Sequence, residues 1–293
     1  MKNILLIFPD WEERSSLGFI SNLKNVSYDR ICIFKFTNGS YLEETELQID
    51  KIKKAFSRAS DLVEVELSNI QNQSSVYIWN EITEFFLGLK SEQYNLYLDI
   101  STMPRELIWM FLSNSKNYVP YVNIIYHLPQ SYSDEWLSRD PLNPRLLFQH
   151  SGIFDLGKKS ALIIVTGFDN TRVKQIINFY EANDVYLIVP SGNQFENETR
   201  NDVNFCDKVG VKNILRIDAY KDLELLEVRS TIKELLSTHN VILTSLGPKI
   251  TAISLYNVFC EFPEVALSYV PCKTYNLNYS SGYSKSIINK IIF

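Results

Sequence analysis

Short apolar runs alternate with longer amphipathic stretches along the 293 residues of the chain. The runs are rich in Val, Ile and Leu and do not alternate strictly with polar residues, which is typical of strands in a parallel sheet covered by helices on both faces. The longer stretches have the pattern of amphipathic helices. Strands that alternate with helices predict an α/β fold with doubly wound, mainly parallel sheets.

The order of these elements before about residue 130 recurs after about residue 160. ILLIF followed by PDWEER matches ALIIV followed by TGFDNTR, each a strand, a short acidic loop with one aromatic residue, and a helix. NLYLDISTMPRE aligns with NVILTSLGPKI if one residue is dropped, which places Pro104 and Arg105 on Pro248 and Lys249. Any two α/β domains share strand and helix alternation, but six correspondences in one order favour an internal duplication.

We therefore expect two tandem Rossmann-like domains. The first covers residues 1–135, and the second covers residues 160–293 with a tyrosine-rich C-terminal tail. A connection over residues 136–159 contains two prolines and two glycines, as linkers often do. LLFQH within this connection also fits a strand.

The overall charge argues against partners that carry many phosphates. A formal net charge of -5 repels duplex nucleic acid and anionic membranes, so we expect neither as a partner, and any anion must be held locally. The four cysteines and three histidines lie far apart, which indicates neither a metal site nor a disulfide framework. No run approaches the roughly 18 apolar residues of a membrane span. These features favour the reducing cytoplasm.

Ligands of open parallel sheets bind beyond the carboxyl ends of the strands, where loops and helix N-termini converge. Six polar loops follow apolar strands here and should face that edge in each half. They are residues 9–14, 37–40 and 99–105 in the first half, and residues 166–172, 190–194 and 244–249 in the second.

The loop DISTMPR is a candidate for holding an anion. If Ser101 or Thr102 caps the following helix, with Pro104 near its first position, free N–H groups and the positive end of the helix dipole point out of the sheet. Arg105 adds a permanent charge. Serine, threonine and proline also begin many helices that bind nothing, so a purely structural role stays open.

The second half offers an analogous set of residues. Ser245, Gly247 and Lys249 form the matching loop, in which a glycine lets the backbone approach a ligand closely. Thr166 and Gly167, after the first strand of this half, are further candidates for ligand contact. A single glycine after a strand is also common in tight turns, so this alternative remains.

Other motifs limit the cofactors and catalytic groups that the sequence predicts. Neither GxGxxG nor GxxxxGK[ST] is present, so no nicotinamide, flavin or P-loop nucleotide cofactor is expected. Asp99, Asp10 and Asp169 are candidate acids or bases, but each also fits a cap or a favourable partner of a helix dipole. The histidines lie in unrelated contexts, so no Ser-His-Asp arrangement can be identified. Tyr283, in the tail segment YNLNYSSGYSK, suits base stacking or a lid, and equally a surface coil.

These loops resemble those of the CRISPR-associated Rossmann-fold sensor domains, which bind cyclic or linear oligonucleotide second messengers. DISTMPRE and TSLGPKI take the place of the family's later loop, and PDWEE and TGFDN that of its first loop. The family's later loop is commonly of a Ser/Thr-Gly-Gly-Thr-Lys type. Here Gly-Gly-Thr is missing, and Arg105 replaces the lysine. No nuclease or helix-turn-helix effector follows, so the resemblance implies a sensor or accessory subunit.

Three functions are compatible with the sequence. The first is a sensor or accessory protein that holds a nucleotide or other phosphorylated ligand at the carboxyl ends of both sheets. The second is an enzyme that acts on nucleotide or glycosyl substrates, with an aspartate as acid or base. Because Thr244 stands at the position of Asp99 in the second half, only one half would then be catalytic. The third is an interaction subunit. A homodimer or an effector protein as partner fits any of the three.

Overall fold

The computed structural model describes residues 1–56, 61–68, 74–89, 93–191 and 210–293. The chain forms two compact units. Unit 1 contains Met1–Glu135 together with Asn276–Phe293, and unit 2 contains Trp136–Tyr275. The C-terminal tail from Asn276 onward, which we expected in the second domain, therefore lies in unit 1.

Unit 1 is built on a six-stranded sheet. Its strands, numbered in chain order through the whole protein, are β1 (Lys2–Ile7), β2 (Arg30–Phe36), β3 (Leu62–Leu67), β4 (Tyr94–Asp99), β5 (Tyr121–His127) and β16 (Ser286–Ile292). The spatial order is β16-β5-β4-β1-β2-β3. The first five strands run parallel, and only β16 is antiparallel to its neighbour β5. This pairing is what places the tail in unit 1.

Unit 2 repeats the arrangement. Its sheet contains β8 (Arg145–Leu146), β9 (Lys159–Val165), β10 (Asp184–Pro190), β11 (Val211–Ile217), β12 (His239–Ser245) and β13 (Ala266–Tyr269). The order β11-β10-β9-β12-β13-β8 is that of unit 1 read from the other side, with antiparallel β8 in the place of β16. Two Rossmann-like domains with mainly parallel sheets are thus confirmed.

Two short ladders complete the strands. In unit 1, β6 (Ser131–Tyr132) pairs with β15 (Ser280–Ser281). In unit 2, β7 (Ser138–Pro141) pairs with β14 (Cys272–Tyr275). Residues expected to form a connection therefore contribute β7 and β8 to unit 2.

Strand register agrees with the duplication. Asp99 of β4 pairs with Ile7 of β1, and Thr244 of β12 pairs with Ile164 of β9. Because ILLIF aligns with ALIIV, Ile7 corresponds to Ile164. Thr244 thus occupies the structural position of Asp99.

Seven helices lie in the described ranges. They are α1 (Arg14–Asn22), α2 (Leu42–Ala55), α3 (Ser75–Leu89), α4 (Arg105–Ser115), α5 (Asn170–Tyr180), α6 (Leu226–Leu235) and α7 (Ile250–Glu261). In unit 1, α1 packs beside α2 and α3 beside α4, as expected for helices on both faces of the sheet. Every residue of α4 after Arg105 is buried, which explains why its sequence is apolar almost all round. None of these seven helices is both long and apolar enough to cross a membrane.

Helix α1 packs very closely against the end of β5. A Cβ added at Gly18 would lie 2.2 Å from Cγ of His127, closer than any real contact of this kind. The His127 side chain is also buried, so the ring has little room to move away. Glycine is therefore required at this point of α1 for steric reasons.

We expect Gly18→Ala to lower the free energy of unfolding by about 1–3 kcal/mol, because overpacking a tight contact forces side chains or backbone to shift. Gly88→Ala in α3 is the matched control, since a Cβ there meets nothing within 4 Å. That change should raise stability by about 0.5–1 kcal/mol through the better helix propensity of alanine. Urea unfolding of both variants measures the difference, and equal effects would contradict the packing argument.

Candidate functional site

The strand order places a topological switch point in each unit. The connections turn in opposite directions between β1 and β4 in unit 1 and between β9 and β12 in unit 2, and ligands of such folds bind at this point. The loops that follow these strands touch. Thr102 Oγ1 donates to the Phe8 carbonyl oxygen over 2.5 Å, and the Leu246 N–H donates to the Val165 oxygen over 2.8 Å. The structure thus brings together the two candidate loops within each unit.

Asp99 is the centre of the polar cluster in unit 1. Its side chain is 3% exposed, and its Oδ2 lies 3.0 Å from Nε2 of His127. Oδ1 accepts hydrogen bonds from the Ser101 N–H at 2.9 Å and the Ser101 hydroxyl at 2.5 Å. The Ser101 oxygen in turn accepts the N–H of His127 at 2.7 Å. Asp99 therefore joins the end of β4, its loop and the end of β5.

This environment keeps Asp99 ionised. Burial acts to raise the pKa of Asp99, but the neighbouring His127 and the hydrogen bonds from His127 and Ser101 outweigh burial. The pKa therefore lies below its ordinary value of 3.8. A carboxylate so buried and so fully bonded is suited to orienting its neighbours, whereas acid or base catalysis on a substrate needs contact with that substrate.

We expect Asp99→Asn to lower the free energy of unfolding at neutral pH by about 3 kcal/mol, because it breaks a buried pair. The lowered pKa also sets the pH dependence. Ionised Asp99 stabilises the fold fully above pH 3.8, its ordinary value, and this contribution is lost as the pH falls further toward the folded-state pKa.

Wild type should therefore lose stability more steeply than Asp99→Asn on acidification below about pH 4. Urea unfolding across this range measures both slopes. Glu84→Gln, at an exposed position of α3, controls for the loss of one carboxylate. Parallel pH profiles for wild type and Asp99→Asn would contradict this assignment.

His127 links Asp99 to the C-terminal tail. Its Nδ1 lies 2.8 Å from the Ser286 hydroxyl oxygen, and that oxygen lies 3.0 Å from the Tyr283 hydroxyl. The Tyr283 ring also packs edge-on against the imidazole, with centroids 5.8 Å apart. An Asp-His-Ser arrangement is therefore present, contrary to the sequence expectation. Sequence reasoning missed it because Ser286 is 159 residues from His127 and meets it only through pairing of β16 with β5.

A buried arginine lies next to this cluster and is hydrogen-bonded to the end of β5. Arg14 donates to the His127 carbonyl oxygen at 3.3 Å and to Oε1 of Glu12 at 3.0 Å, while the other Glu12 oxygen accepts the hydroxyl of Ser280. Burial acts to lower the pKa of Arg14, but the charge and hydrogen bond of Glu12 together with Tyr132 and Tyr126 outweigh burial, and the pKa lies well above its ordinary value. Arg14 is thus a permanent internal cation that stabilises the carboxyl end of β5.

Unit 2 contains a comparable buried arginine. Arg172 of α5 is buried and donates to the carbonyl oxygen of Val270, the position that corresponds to His127. Asp169 caps α5 by accepting the Arg172 N–H at 3.1 Å, and it also accepts the Ser138 hydroxyl at 3.2 Å. Asp10 has a comparable local role, since it accepts the N–H of Glu12 at 2.8 Å. Both aspartates thus hold loop groups in place.

The start of α4 differs from the expectation. Ser101 and Thr102 do not cap the helix; Pro104 is its N-cap residue and Arg105 its first helical residue. The reason is that both hydroxyls turn inward, to Asp99 and to Phe8. Within the described chain no side chain caps α4, and none caps α7, whose N-cap residue is Lys249.

In unit 2 the two glycines bring the loops into backbone contact. A Cβ on Gly167 would lie 2.2 Å from the Leu246 carbonyl oxygen, and one on Gly247 would lie 2.7 Å from the Thr166 oxygen. Ser245 is likewise engaged internally, with its hydroxyl 2.7 Å from that of Thr251. Close packing between loops therefore accounts for both glycines without a ligand.

We expect Gly167→Ala to destabilise the protein by about 3 kcal/mol, because a carbonyl oxygen of the backbone cannot move aside as a flexible side chain can. Gly39→Ala is the control, since its Cβ would have only an ordinary contact, 3.8 Å from Leu42. Thermal unfolding should show a midpoint several degrees lower for Gly167→Ala alone. A midpoint equal to that of the control would contradict the tight loop contact.

The remaining candidates divide by location. Tyr283 joins the polar cluster of unit 1, whereas Thr166 is held in the β9 loop by its N–H, which donates to the Ile188 oxygen at 2.9 Å. Among the residues that the structure describes, no group of three His, Cys, Asp or Glu side chains is placed to bind a metal ion. Residues 192–194 of the predicted loop 190–194 lie outside the described residues.

No family model and no curated protein sequence matches the chain. Among solved structures it is similar to a type III CRISPR defence DNA nuclease activated by cyclic oligoadenylate. The TM-score is 0.54 at 11% sequence identity, and the match covers 87% of this chain and 64% of the nuclease chain. A second match, to the cytoplasmic domain of a prokaryotic cation chloride cotransporter, has 12% identity and covers 94% and 99% of the two chains. Its TM-score of 0.30 is too low to indicate a shared fold.

The likeness to the nuclease is one of fold. It agrees with the resemblance of the polar loops to CRISPR-associated sensor domains only at this coarse level. This chain spans 64% of the length of the nuclease.

Proposed function

We propose that the protein is a ligand sensor or accessory subunit that binds a nucleotide or other phosphorylated ligand at the switch points of its two units. The observation that carries the proposal is the pair of equivalent helix starts. In each unit a helix without a side-chain cap begins at the switch point. A cation lies at each helix start, Arg105 as the first residue of α4 and Lys249 as the N-cap residue of α7.

The physical chemistry of these positions suits an anion. The first N–H groups of a helix have no partner within it, and the helix dipole adds partial positive charge at the same end. A guanidinium or ammonium group there adds a full charge and further donors. Because the chain has a formal net charge of -5, such a local site is needed to hold a phosphate.

The contacts of the other candidates refine their roles. Ser101, Thr102 and Ser245 direct their hydroxyls to the protein itself, so we assign them to shaping the loops. Backbone N–H groups of the helix starts, with Arg105 and Lys249, are then the groups that contact phosphate oxygens.

Binding fits the geometry better than the alternative enzyme with aspartate as acid or base. Asp99 is 3% exposed and bonded through both oxygens, while Asp10 and Asp169 hold N–H groups of their own loops. The solved nuclease with a similar fold is activated by cyclic oligoadenylate. We therefore propose oligoadenylates, cyclic or linear, as the first ligands to test, with an effector on a partner protein.

We expect an oligoadenylate at 100 times its Kd to stabilise the protein by about 2.7 kcal/mol and to raise the melting temperature by several degrees. Arg105→Ala and Lys249→Ala should each weaken binding by about 10- to 100-fold, because each removes charge-assisted hydrogen bonds. Differential scanning fluorimetry and calorimetric titration measure both effects.

Two exposed lysines away from the helix starts provide the controls. Lys116 follows the last residue of α4, and Lys233 lies in the last turn of α6. Their alanine variants should bind as wild type does. Absence of any shift with cyclic or linear oligoadenylates, mononucleotides and inorganic phosphate would refute the proposed function. Recovery of the ligand intact by chromatography would separate binding from turnover.

A further inference from the structure

A continuous hydrogen-bonded array connects the interior of unit 1 to its sheet edge. It runs from Asp99 to His127 over 3.0 Å, from His127 to Ser286 over 2.8 Å and from Ser286 to Tyr283 over 3.0 Å. Asp99 and His127 are buried, whereas Ser286 and Tyr283 are half-buried. The array thus ends on groups that a small molecule can reach.

The hydrogen-bond partners determine which atom is the donor and which the acceptor at each step of the array. Ionised Asp99 accepts the proton on Nε2 of His127, which leaves Nδ1 as an acceptor. Ser286 can then donate its hydroxyl proton to Nδ1, and Tyr283 donates to the Ser286 oxygen. This is the relation of nucleophile, base and orienting carboxylate found in serine hydrolases, with the roles of the two ring nitrogens exchanged.

Strand pairing holds the base and the nucleophile together. Hydrogen bonds from Leu128 to Lys285 and from Phe293 to Pro120 fix the register of the antiparallel pair β5 and β16. His127 and Ser286 are then directly opposite at a non-hydrogen-bonded position, where side chains approach most closely. The same register directs the Ser286 N–H away from β5, toward the outer side of the edge strand.

We propose that Ser286 is a nucleophile activated by His127, and that unit 1 hydrolyses small carboxylic esters through an acyl-serine intermediate. The Tyr283 hydroxyl and the outward N–H of Ser286 are the donors for the oxyanion. This activity is separate from the proposed nucleotide binding and does not depend on it.

The reaction balances with water as the second reactant. The Ser286 oxygen bonds to the ester carbonyl carbon while its proton passes to Nδ1 of His127, and the carbonyl electron pair moves to the oxygen that Tyr283 faces. The carbon–alkoxide bond then breaks, and the leaving alcohol takes the proton from His127. Water repeats the sequence on the acyl-serine, releases the carboxylic acid and restores Ser286.

The charge of the site selects the substrate class. Two neutral donors suit the single negative charge of a tetrahedral acyl intermediate. Phosphoryl transfer places more charge on its equatorial oxygens and relies on cations to stabilise it. The Arg14 guanidinium is held by Glu12 and by the His127 carbonyl oxygen, so it is engaged elsewhere in unit 1. Neutral esters are therefore the expected substrates.

The test uses a fluorophosphonate probe, which labels activated serines covalently, and p-nitrophenyl acetate. We expect one label per wild-type chain, mapped to Ser286 by peptide mass spectrometry. Ser286→Ala should lose both the label and ester hydrolysis. Ser284→Ala, two residues away on the same segment and exposed, should keep both.

Tyr283→Phe separates catalysis from folding, because it keeps the ring against His127 and removes only the hydroxyl. Its rate of ester hydrolysis should fall by about 100-fold, the usual effect of losing one oxyanion donor, with an unchanged melting temperature. Wild-type protein that melts cooperatively yet takes no label, or label that persists in Ser286→Ala, would overturn the proposal. Neither result would bear on nucleotide binding, because the assay contains no nucleotide.

Discussion

Burial of the Asp99 carboxylate is the constraint on which the polar architecture of unit 1 depends. A buried ionised carboxylate is costly unless both of its oxygens accept hydrogen bonds. Ser101 and His127 meet that requirement, and this fixes the loop after β4 relative to the end of β5. With Nε2 of His127 on Asp99, its Nδ1 lies 2.8 Å from the Ser286 hydroxyl oxygen. The position of β16, the conformation of the loop after β4 and the burial of Asp99 therefore depend on the same hydrogen bonds.

The sheet architecture could be predicted from sequence because its cause is local. Strands buried on both faces need apolar side chains along their buried part, as in β9, where all five residues from Ala161 to Val165 are buried and apolar. The same pattern repeated in the second half with its loops in register, so the duplication was visible as well. Even the equivalence of Thr244 and Asp99 followed from the alignment.

The chemistry of the loops could not be predicted, because it depends on which way each side chain points. Ser101 and Thr102 are residue types that often cap helices, yet their hydroxyls point inward and donate to the Asp99 carboxylate and the Phe8 carbonyl oxygen. Ser286 carries no signal at all in the sequence. Its role arises from a crossing of the chain tail back to β5, and long-range pairing of this kind leaves no short motif.

The two units share some buried polar residues and differ in others, which distinguishes the residues that the fold requires from those that only one unit has. Arg14 and Arg172 both bury a guanidinium on the first helix and donate to the carbonyl oxygen at the end of the fifth strand. Because burying a guanidinium is costly, its presence in both units marks it as part of this fold. Asp99 and His127 have no such counterparts, since Thr244 and Val270 occupy their positions. The fold is thus complete without the carboxylate and imidazole pair, and the cost of burying it in unit 1 needs a reason other than architecture.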